Sequence, residues 1–256
     1  MSAEGREVRA EVNLPRDASR VGVSKPKTAE MHSGPGFRIR ADIVRPEAAV
    51  IAGLAEFDTP AISDLLNRLF TMDPGIKPQT SARRVVGPAC TVKVFPGDNL
   101  MVHKSLDIAA AGDVIVVDTS GSSLTAALGD LISTKATHRG VAGFIVDGLV
   151  RDIEALETLA GFPVFARGIT PIGPLHRGPG EVNYPIAAGG IVVNPGDIIV
   201  GDGNGVVVVP REHARDVLDL LRARAALEAD YHAAVVRGDF SNAWVDAVLA
   251  DAGVDA

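Results

Sequence analysis

Two short apolar runs, Asp113-Val-Ile-Val-Val-Asp118 and Gly143-Phe-Ile-Val-Asp147, constrain the fold of this chain more than any other feature. Runs of this length and composition read as buried strands. The first precedes Gly129-Asp130-Leu131-Ile132 and the second precedes Arg151-Asp152, with a 20-residue gap between Asp130 and Arg151. Each motif therefore falls where a strand hands over to a helix. In layered α/β proteins ligands bind at such handovers, because helix amides and side chains converge there on one rim.

The residue types at the two handovers define a chemistry. Leu131 and Ile132 fall in the first turn of a helix expected to run to about His138. Backbone N–H groups in that turn lack intrahelical partners and can hold a carboxylate. Arg151 offers a fixed fork of donors to an oxyanion and keeps its charge at any working pH. Asp152 suits a hard divalent cation; Mg²⁺ usually keeps several waters, so one or two protein acids suffice. Together these groups fit a 2-oxo acid, its carboxylate on the amides and its keto oxygen between metal and Arg151. Cleaving the adjacent C–C bond leaves an enolate whose charge metal and arginine stabilise. A purely structural alternative stands beside this one. Asp152 opens an apparent helix, Asp-Ile-Glu-Ala-Leu-Glu, where an acid is a routine N-cap or dipole partner. Asp130 fits the same role and Arg151 that of a surface ion-pair partner, and spacing alone leaves both accounts open.

Composition narrows the class. At 256 residues and 46% hydrophobic content the chain can bury a sizeable core and is expected to form one main domain. A net charge of −7 argues against a nucleic-acid surface. Cys90, the lone cysteine, lies in an apparent strand and reads as a small buried hydrophobe. No apolar run approaches the ~20 residues of a membrane span. Glu4, Arg6, Glu7, Arg9 and Glu11 leave no apolar core for a secretory signal, so a reducing cytoplasm is the expected location. Residues 1–40, rich in charge, Gly and Pro, read as an arm or disordered leader.

Further elements follow from local signals. Helices are expected from Pro46 to Phe57, from Thr59-Pro60 to about Phe70 with Thr59 as N-cap, and from Asp98 to Ala111. Strands are expected over Val85 to Val94 and Pro163 to Ala166, then as a meander at Ile191 to Val193, Asp197 to Gly201 and Gly205 to Val209. Glu212 to Val236 reads as a long helix with Val217, Leu220, Leu221 and Leu227 on its apolar face, and Ala243 to Ala250 as a last short one. The six histidines show no paired metal-ligand spacing. Gly201-Asp-Gly-Asn-Gly205 precedes a strand, so a β-turn is expected there rather than a phosphate loop. Ser122-Ser123 lacks the nucleophile elbow of a serine hydrolase.

The Asp130, twenty residues, Arg151-Asp152 pattern resembles the signature of the class II pyruvate aldolases that cleave 4-hydroxy-4-methyl-2-oxoglutarate and 4-carboxy-4-hydroxy-2-oxoadipate. Their superfamily also contains the regulator of ribonuclease E activity A, a binding protein. The resemblance extends from about Arg45 to Gly238 through Ile62-Ser-Asp64, Val86-Gly-Pro-Ala-Cys-Thr-Val92, Pro96-Gly-Asp-Asn99, Pro163-Val-Phe-Ala-Arg167 and Val193-Asn-Pro-Gly-Asp197. It implies a mixed α/β chain with the β/β/α swivelling-domain, phosphohistidine-domain-like fold, assembled as a homotrimer or homohexamer with active sites at subunit clefts. The implied domains are an arm over 1–40, an aldolase domain over 41–238 and a C-terminal helix within 239–256. The resemblance implies Asp152 as the ligand of Mg²⁺ or Mn²⁺, Arg151 as substrate-binding and enolate-stabilising, and Asp130 as the acid assisting proton transfer. It implies that Gly129, Leu131 and Ile132 hold the pyruvate carboxylate, and that a neighbouring subunit supplies a C-terminal glutamate, for which Glu228 is the best match. A solvated acid on an amphipathic helix is an equal reading of Glu228. Asn204 departs from the family, where an acid is usual. The implied activity is retro-aldol cleavage to pyruvate and decarboxylation of oxaloacetate, on a small 2-oxo acid, with no nucleic acid and no membrane as partner. The alternative is a non-catalytic protein-binding regulator like the ribonuclease E inhibitor; the intact Asp130, Arg151 and Asp152 favour the enzyme.

Overall fold

The structure, a computed structural model, describes residues 31–32 and 34–254. In chain order the elements begin with α1 (Ala48–Leu54), α2 (Thr59–Leu65), β1 (Lys77–Pro78), β2 (Val85–Val94), α3 (Leu100–Ile108), β3 (Val114–Asp118), β4 (Ala126–Leu128) and α4 (Asp130–His138). They continue with β5 (Gly143–Val150), α5 (Ile153–Glu157), β6 (Val164–Ile169), β7 (Gly180–Val182), β8 (Ile186–Ala188) and β9 (Ile191–Val193). The last are β10 (Ile198–Asp202), β11 (Gly205–Val209), α6 (Ala214–Val236) and α7 (Ala243–Asp251). The arm expected over residues 1–40 lies mostly outside the described residues. Its final stretch belongs with the domain: Arg40 N donates to Val182 O of β7, and Arg38 pairs with Glu181.

Nine strands form one sheet in the order β1-β6-β5-β3-β2-β10-β11, with β4 added to β5 and β7 to β2, and β8-β9 stand apart as a hairpin. β2, β3, β5 and β6 run parallel, whereas β10 and β11 pair antiparallel. This mixture, with helices outside it, is an α+β architecture. Beyond β11 the segment leading into β1 continues the pairing: Val208 N donates to Phe70 O and Met72 N to Val206 O, each at 2.9 Å. The two ends of the strand path therefore approach one another, and the sheet comes close to a barrel.

The apolar runs bury both faces, and their period of two sorts side chains between layers. On β3, Ile115 and Val117 join Met101, Leu106, Ile132 and Leu156 under α3, α4 and α5. Val114 and Val116 point the other way, into a cluster with Ile145, Phe165, Ile199 and the β8-β9 residues Ile186 and Val193. On β10 and β11, Ile198, Val200, Val207 and Val209 pack beneath Leu54, Ile62, Leu218 and Leu221 of α1, α2 and α6. Fully burying one such aliphatic side chain contributes about 1.5–3 kcal/mol, so β3 and β5 are anchored from both faces.

Several expected boundaries shift for identifiable reasons. α2 stops at Leu65 rather than near Phe70, because Asn67 and Arg68 take left-handed backbone at φ 54° and 64°. Its N-cap is Asp58, which accepts from Ala61 N at 3.1 Å; Thr59 is already helical and bonds Asp202. α3 is shorter than expected, although Asp98 does accept from Leu100 N at 2.7 Å. On α6 the buried face is Val217, Leu218 and Leu221, whereas Leu220 and Leu227 are exposed. β4, β7 and β8, three residues each, are too short to carry a readable period. The Gly201–Gly205 stretch is a hairpin turn as expected, with Asn204 N donating to Asp202 at 2.8 Å. Among the described residues, no helix is long and apolar enough to cross a membrane.

Candidate active site

Parallel pairing of β4 with β5 sets Leu128 opposite Val150, so the residues that follow each strand emerge side by side. Arg151 N donates to Leu128 O at 3.1 Å, fixing the start of α4 beside Arg151-Asp152. Asp130, Leu131 and Ile132 form the first turn of α4, and the first helical bond back is from Ser133 N to Gly129 O at 3.1 Å. Asp130 N donates to Asp152 Oδ2 at 3.3 Å, and the Leu131 and Ile132 amides are left as donors for a ligand.

Asp152 stands ahead of α5 but does not cap it with its side chain. Its backbone is left-handed, at φ 60° and ψ 41°, a conformation rare for a residue with a Cβ. That turn directs the carboxylate back to Asp130 N and to Arg151 Nε, which lies 3.2 Å from the same Oδ2. The routine N-cap reading of Asp152 therefore does not describe its side chain. With both side chains more than a third exposed, the Arg151–Asp152 contact contributes little stability and acts mainly to orient. Gly129 permits the approach: a Cβ there would stand 2.2 Å from Asp152 Oδ2 and 2.9 Å from Arg151 Cγ. Gly173 does the same for the guanidinium, since a Cβ would stand 2.5 Å from Arg151 Nη1.

These groups open onto a cleft of about 170 Å³, room for a small acid rather than a nucleotide. Asn99, His103, Pro174 and His176 line it as well. The loop bearing Pro174 and His176 is tied down by Ala126 N to Ile172 O at 2.8 Å, Leu175 N to Gly97 O at 2.7 Å, and Arg177 N to Asp98 Oδ2 at 2.5 Å. Buried Asn99 donates from Nδ2 to Ala127 O at 2.8 Å, and His176 Nδ1 lies 2.6 Å from Asn99 Oδ1. The His103 and His176 rings meet edge to face, with centroids 5.3 Å apart. Burial holds His103 below the ordinary histidine range, and His176 and Lys135 push it the same way.

Gly129, Asp130, Leu131, Ile132, Arg151 and Asp152, all singled out from sequence, thus line one cleft. Glu228 does not: it sits on the exposed part of α6, paired with Arg224. Asn99, His103 and His176 were not anticipated, because no local spacing links the start of α3 with a loop after β6. Among the described residues no group of three or more His, Cys, Asp or Glu is placed to hold a metal. Asp152 spends only Oδ2 on the contacts above, so its other oxygen is the one that could hold a cation.

Residues 59–208 match the RraA-like family, Aldolase/RraA. Over 168 residues the chain is 44% identical to a Halalkalibacterium halodurans protein named "Putative 4-hydroxy-4-methyl-2-oxoglutarate aldolase", the match covering 66% of this chain and 80% of that one. An uncharacterized protein from Pseudomonas syringae pv. tomato has a similar structure, with a TM-score of 0.69 and 31% identity, covering 77% of this chain and 97% of the other. Streptomyces coelicolor RraAS2, an unusual member of the RNase ES inhibitor RraA protein family, gives a TM-score of 0.68 at 28% identity, covering 75% of this chain and 99% of its own. By the family match, the extent of the shared sequence and the shared fold, this chain belongs to the Aldolase/RraA family.

Proposed function

We propose that the chain is a divalent-metal-dependent carbon–carbon lyase. It would cleave 4-hydroxy-4-methyl-2-oxoglutarate or 4-carboxy-4-hydroxy-2-oxoadipate to pyruvate by a retro-aldol step and decarboxylate oxaloacetate. One observation carries the reading: Asp152 adopts left-handed backbone and turns its carboxylate to Asp130 N and Arg151 instead of capping its own helix. Backbone strain kept at a cleft, with a glycine clearing the space beside it, is an arrangement that function explains and helix capping does not.

In this reading the Leu131 and Ile132 amides bind the substrate carboxylate at the head of α4, where the helix dipole favours an anion. Mg²⁺ or Mn²⁺ held by Asp152 would supply polarisation of the keto oxygen. Arg151 donates to the same oxygen as it gains negative charge, and its guanidinium is kept in place by Asp152 and by the space left at Gly173. In the retro-aldol direction the C4 hydroxyl loses its proton toward Asp130, the C3–C4 bond breaks, and its electron pair becomes the enolate of pyruvate. Decarboxylation of oxaloacetate breaks a different bond but leaves the same enolate. Glu228, which does not line the cleft of its own chain, is assigned to the cleft of a second copy in a homotrimer or homohexamer.

A second reading is favoured by the likeness to Streptomyces coelicolor RraAS2: a non-catalytic binding regulator. A steady-state assay of the purified chain on oxaloacetate and the two aldol substrates, with and without Mg²⁺, separates the two. Metal-dependent release of pyruvate supports the lyase; no turnover on any of the three rejects it in favour of the regulator.

A further inference from the structure

A second groove, of about 480 Å³, shares no lining residue with the cleft. One wall is the segment from Arg40 to Arg45, which is pinned at both ends. Arg40 N donates to Val182 O at 3.1 Å, and Arg40 O accepts from Asn183 Nδ2 at 2.9 Å. At the other end Arg45 gives its fork to Asp113 at 2.8 and 2.7 Å, and Gly196, at φ 89°, leaves the space that Val44 O fills. The other wall is organised by the buried carboxylate of Asp197, which accepts from Arg211 N at 3.1 Å and from Asn194 N at 2.8 Å. Gly196 N donates to Ala89 O, opposite the first residue of β3, whereas the cleft lies past the last residues of β4 and β5. The groove is therefore built from fixed backbone and stands apart from the lyase chemistry above.

Each wall presents one cation and one anion: Arg40 and Asp42 from the first, Arg211 and Glu212 from the second. Among the described residues none of these four forms an ion pair, although the nearby Arg38, Arg45 and Arg215 pair with Glu181, Asp113 and Glu47. Both groove arginines are nonetheless held in place. The Arg40 guanidinium lies 4.7 Å from the centre of the Tyr184 ring, and Arg211 Nη1 donates to Pro195 O at 2.9 Å. The remaining N–H groups of each fork are left for a ligand. Ile43, Val44, Pro185 and Pro195 supply the apolar part of the lining.

We propose that this groove binds an aliphatic α-amino acid as its zwitterion, with the carboxylate on Arg40 and Arg211, the ammonium on Asp42 and Glu212, and the side chain against the apolar lining. The balance of charge selects this class. A phosphorylated or dicarboxylic ligand would meet two protein carboxylates beside the arginines, and a polyamine would meet two guanidiniums; like charges repel in both cases. A zwitterion brings one charge of each sign and adds nothing to a net charge already at −7. Pairing exposed side chains with one another gains little, because two long chains must be ordered for one contact. A ligand with both charges on one carbon satisfies both signs with fewer bonds to order.

The test is titration calorimetry of the full chain at neutral pH with L-leucine and two analogues of the same skeleton. 4-Methylpentanoate lacks the ammonium, and 3-methylbutylamine lacks the carboxylate. Leucine is expected to bind at least about tenfold more tightly than either, the scale of a lost hydrogen bond to a charged group. Arg211→Gln, which keeps the backbone N–H on Asp197, and Glu212→Gln, which keeps the shape of the acid, should each weaken leucine by about tenfold or more. Both side chains are exposed, so both variants should fold. The comparison of probes on the unmodified chain needs no variant and decides the question if a substitution fails to fold. No heat with leucine, equal affinity for the three probes, or leucine binding unchanged in either folded variant overturns the amino-acid site. The lyase reading is tested separately, since pyruvate release does not use the groove.

Discussion

The backbone of Gly129 and the carboxylate of Asp152 occupy adjoining space so closely that a methyl group on the first would stand 2.2 Å from an oxygen of the second. Gly129 is itself buried, but the atoms a methyl there would meet are side-chain atoms of Asp152 and Arg151 at the cleft, so those side chains would be displaced and the core left alone. Gly129→Ala is therefore expected to fold with little change in Tm yet lose at least ~100-fold in kcat/KM, comparable to removal of a preorganised charge contact. Thermal melts and steady-state kinetics on the same preparation check both halves; full activity would detach Asp152 from the chemistry.

Arg151 faces the cleft with a fork of donors that lysine cannot reproduce. Arg151→Lys should lower kcat by about 10²–10³-fold, the range for losing one stabiliser of a developing oxyanion. Asp152→Ala should remain folded and be inactive, and EDTA should abolish activity of the unmodified chain reversibly. Full turnover by Asp152→Ala would remove it from the site.

Asp130 should matter unequally to the two reactions. Retro-aldol cleavage begins by removing a proton from the C4 hydroxyl, whereas decarboxylation only returns a proton to the enolate afterwards. Asp130→Asn is thus expected to reduce aldol cleavage more than oxaloacetate decarboxylation, and equal losses would assign Asp130 to positioning. Oxalate, a planar mimic of the enolate, should inhibit both reactions with similar constants and bind more tightly than pyruvate.

Glu228 can be tested by subunit mixing. If it completes a neighbour's cleft, Glu228→Ala and Asp152→Ala chains should complement when co-assembled, because some mixed clefts contain one intact copy of each residue. Dilution below the association constant should lower specific activity. A demonstrated mixed oligomer without recovered turnover would leave Glu228 as the surface partner of Arg224 seen within one chain.

Cys90 is fully buried in β2, and burial pushes its thiol up to about 12. Thiolate is the reactive form, so the native chain should resist a thiol reagent such as DTNB at pH 8 and react once unfolded in guanidinium. Rapid labelling of the native chain would show that β2 opens locally.

How much of this was legible before the fold was known varies with the kind of information each residue needs. Asp130 follows β4, which intervenes after the Asp113–Asp118 run expected to lead into its helix. Arg151 and Asp152 could be singled out because they directly follow the apolar run of β5, and local pattern fixes which residues follow a strand. The left-handed turn at Asp152 could not, since an acid ahead of a helix has a commoner use as a cap. Gly129 was recognisable as part of the motif, but its role as cleared space depends on the register of β4 against β5, and β4 is too short to announce itself. Asn99, His103 and His176 come together only because the loop after β6 folds over Gly97 and Ala126. That closure is tertiary and leaves no spacing in the sequence. Of the apolar face expected on α6, Val217 and Leu221 are buried while Leu220 and Leu227 are exposed; Leu227 fails because the helix is buried only as far as Leu221, and periodicity cannot tell where the underlying sheet ends.

The backbone of Asp152 also bears on how such a chain evolves. A residue with a Cβ enters the left-handed region at a cost of about 1–2 kcal/mol, which glycine would not incur. Folding alone therefore favours losing the acid at this position, and a lineage selected only for robustness would drift toward a well-folded protein with an empty rim. In the reading proposed above, an aspartate here answers a demand on the rim that opposes stability, and among relatives sharing this fold the identity of that one residue would sort those under the demand from those released from it.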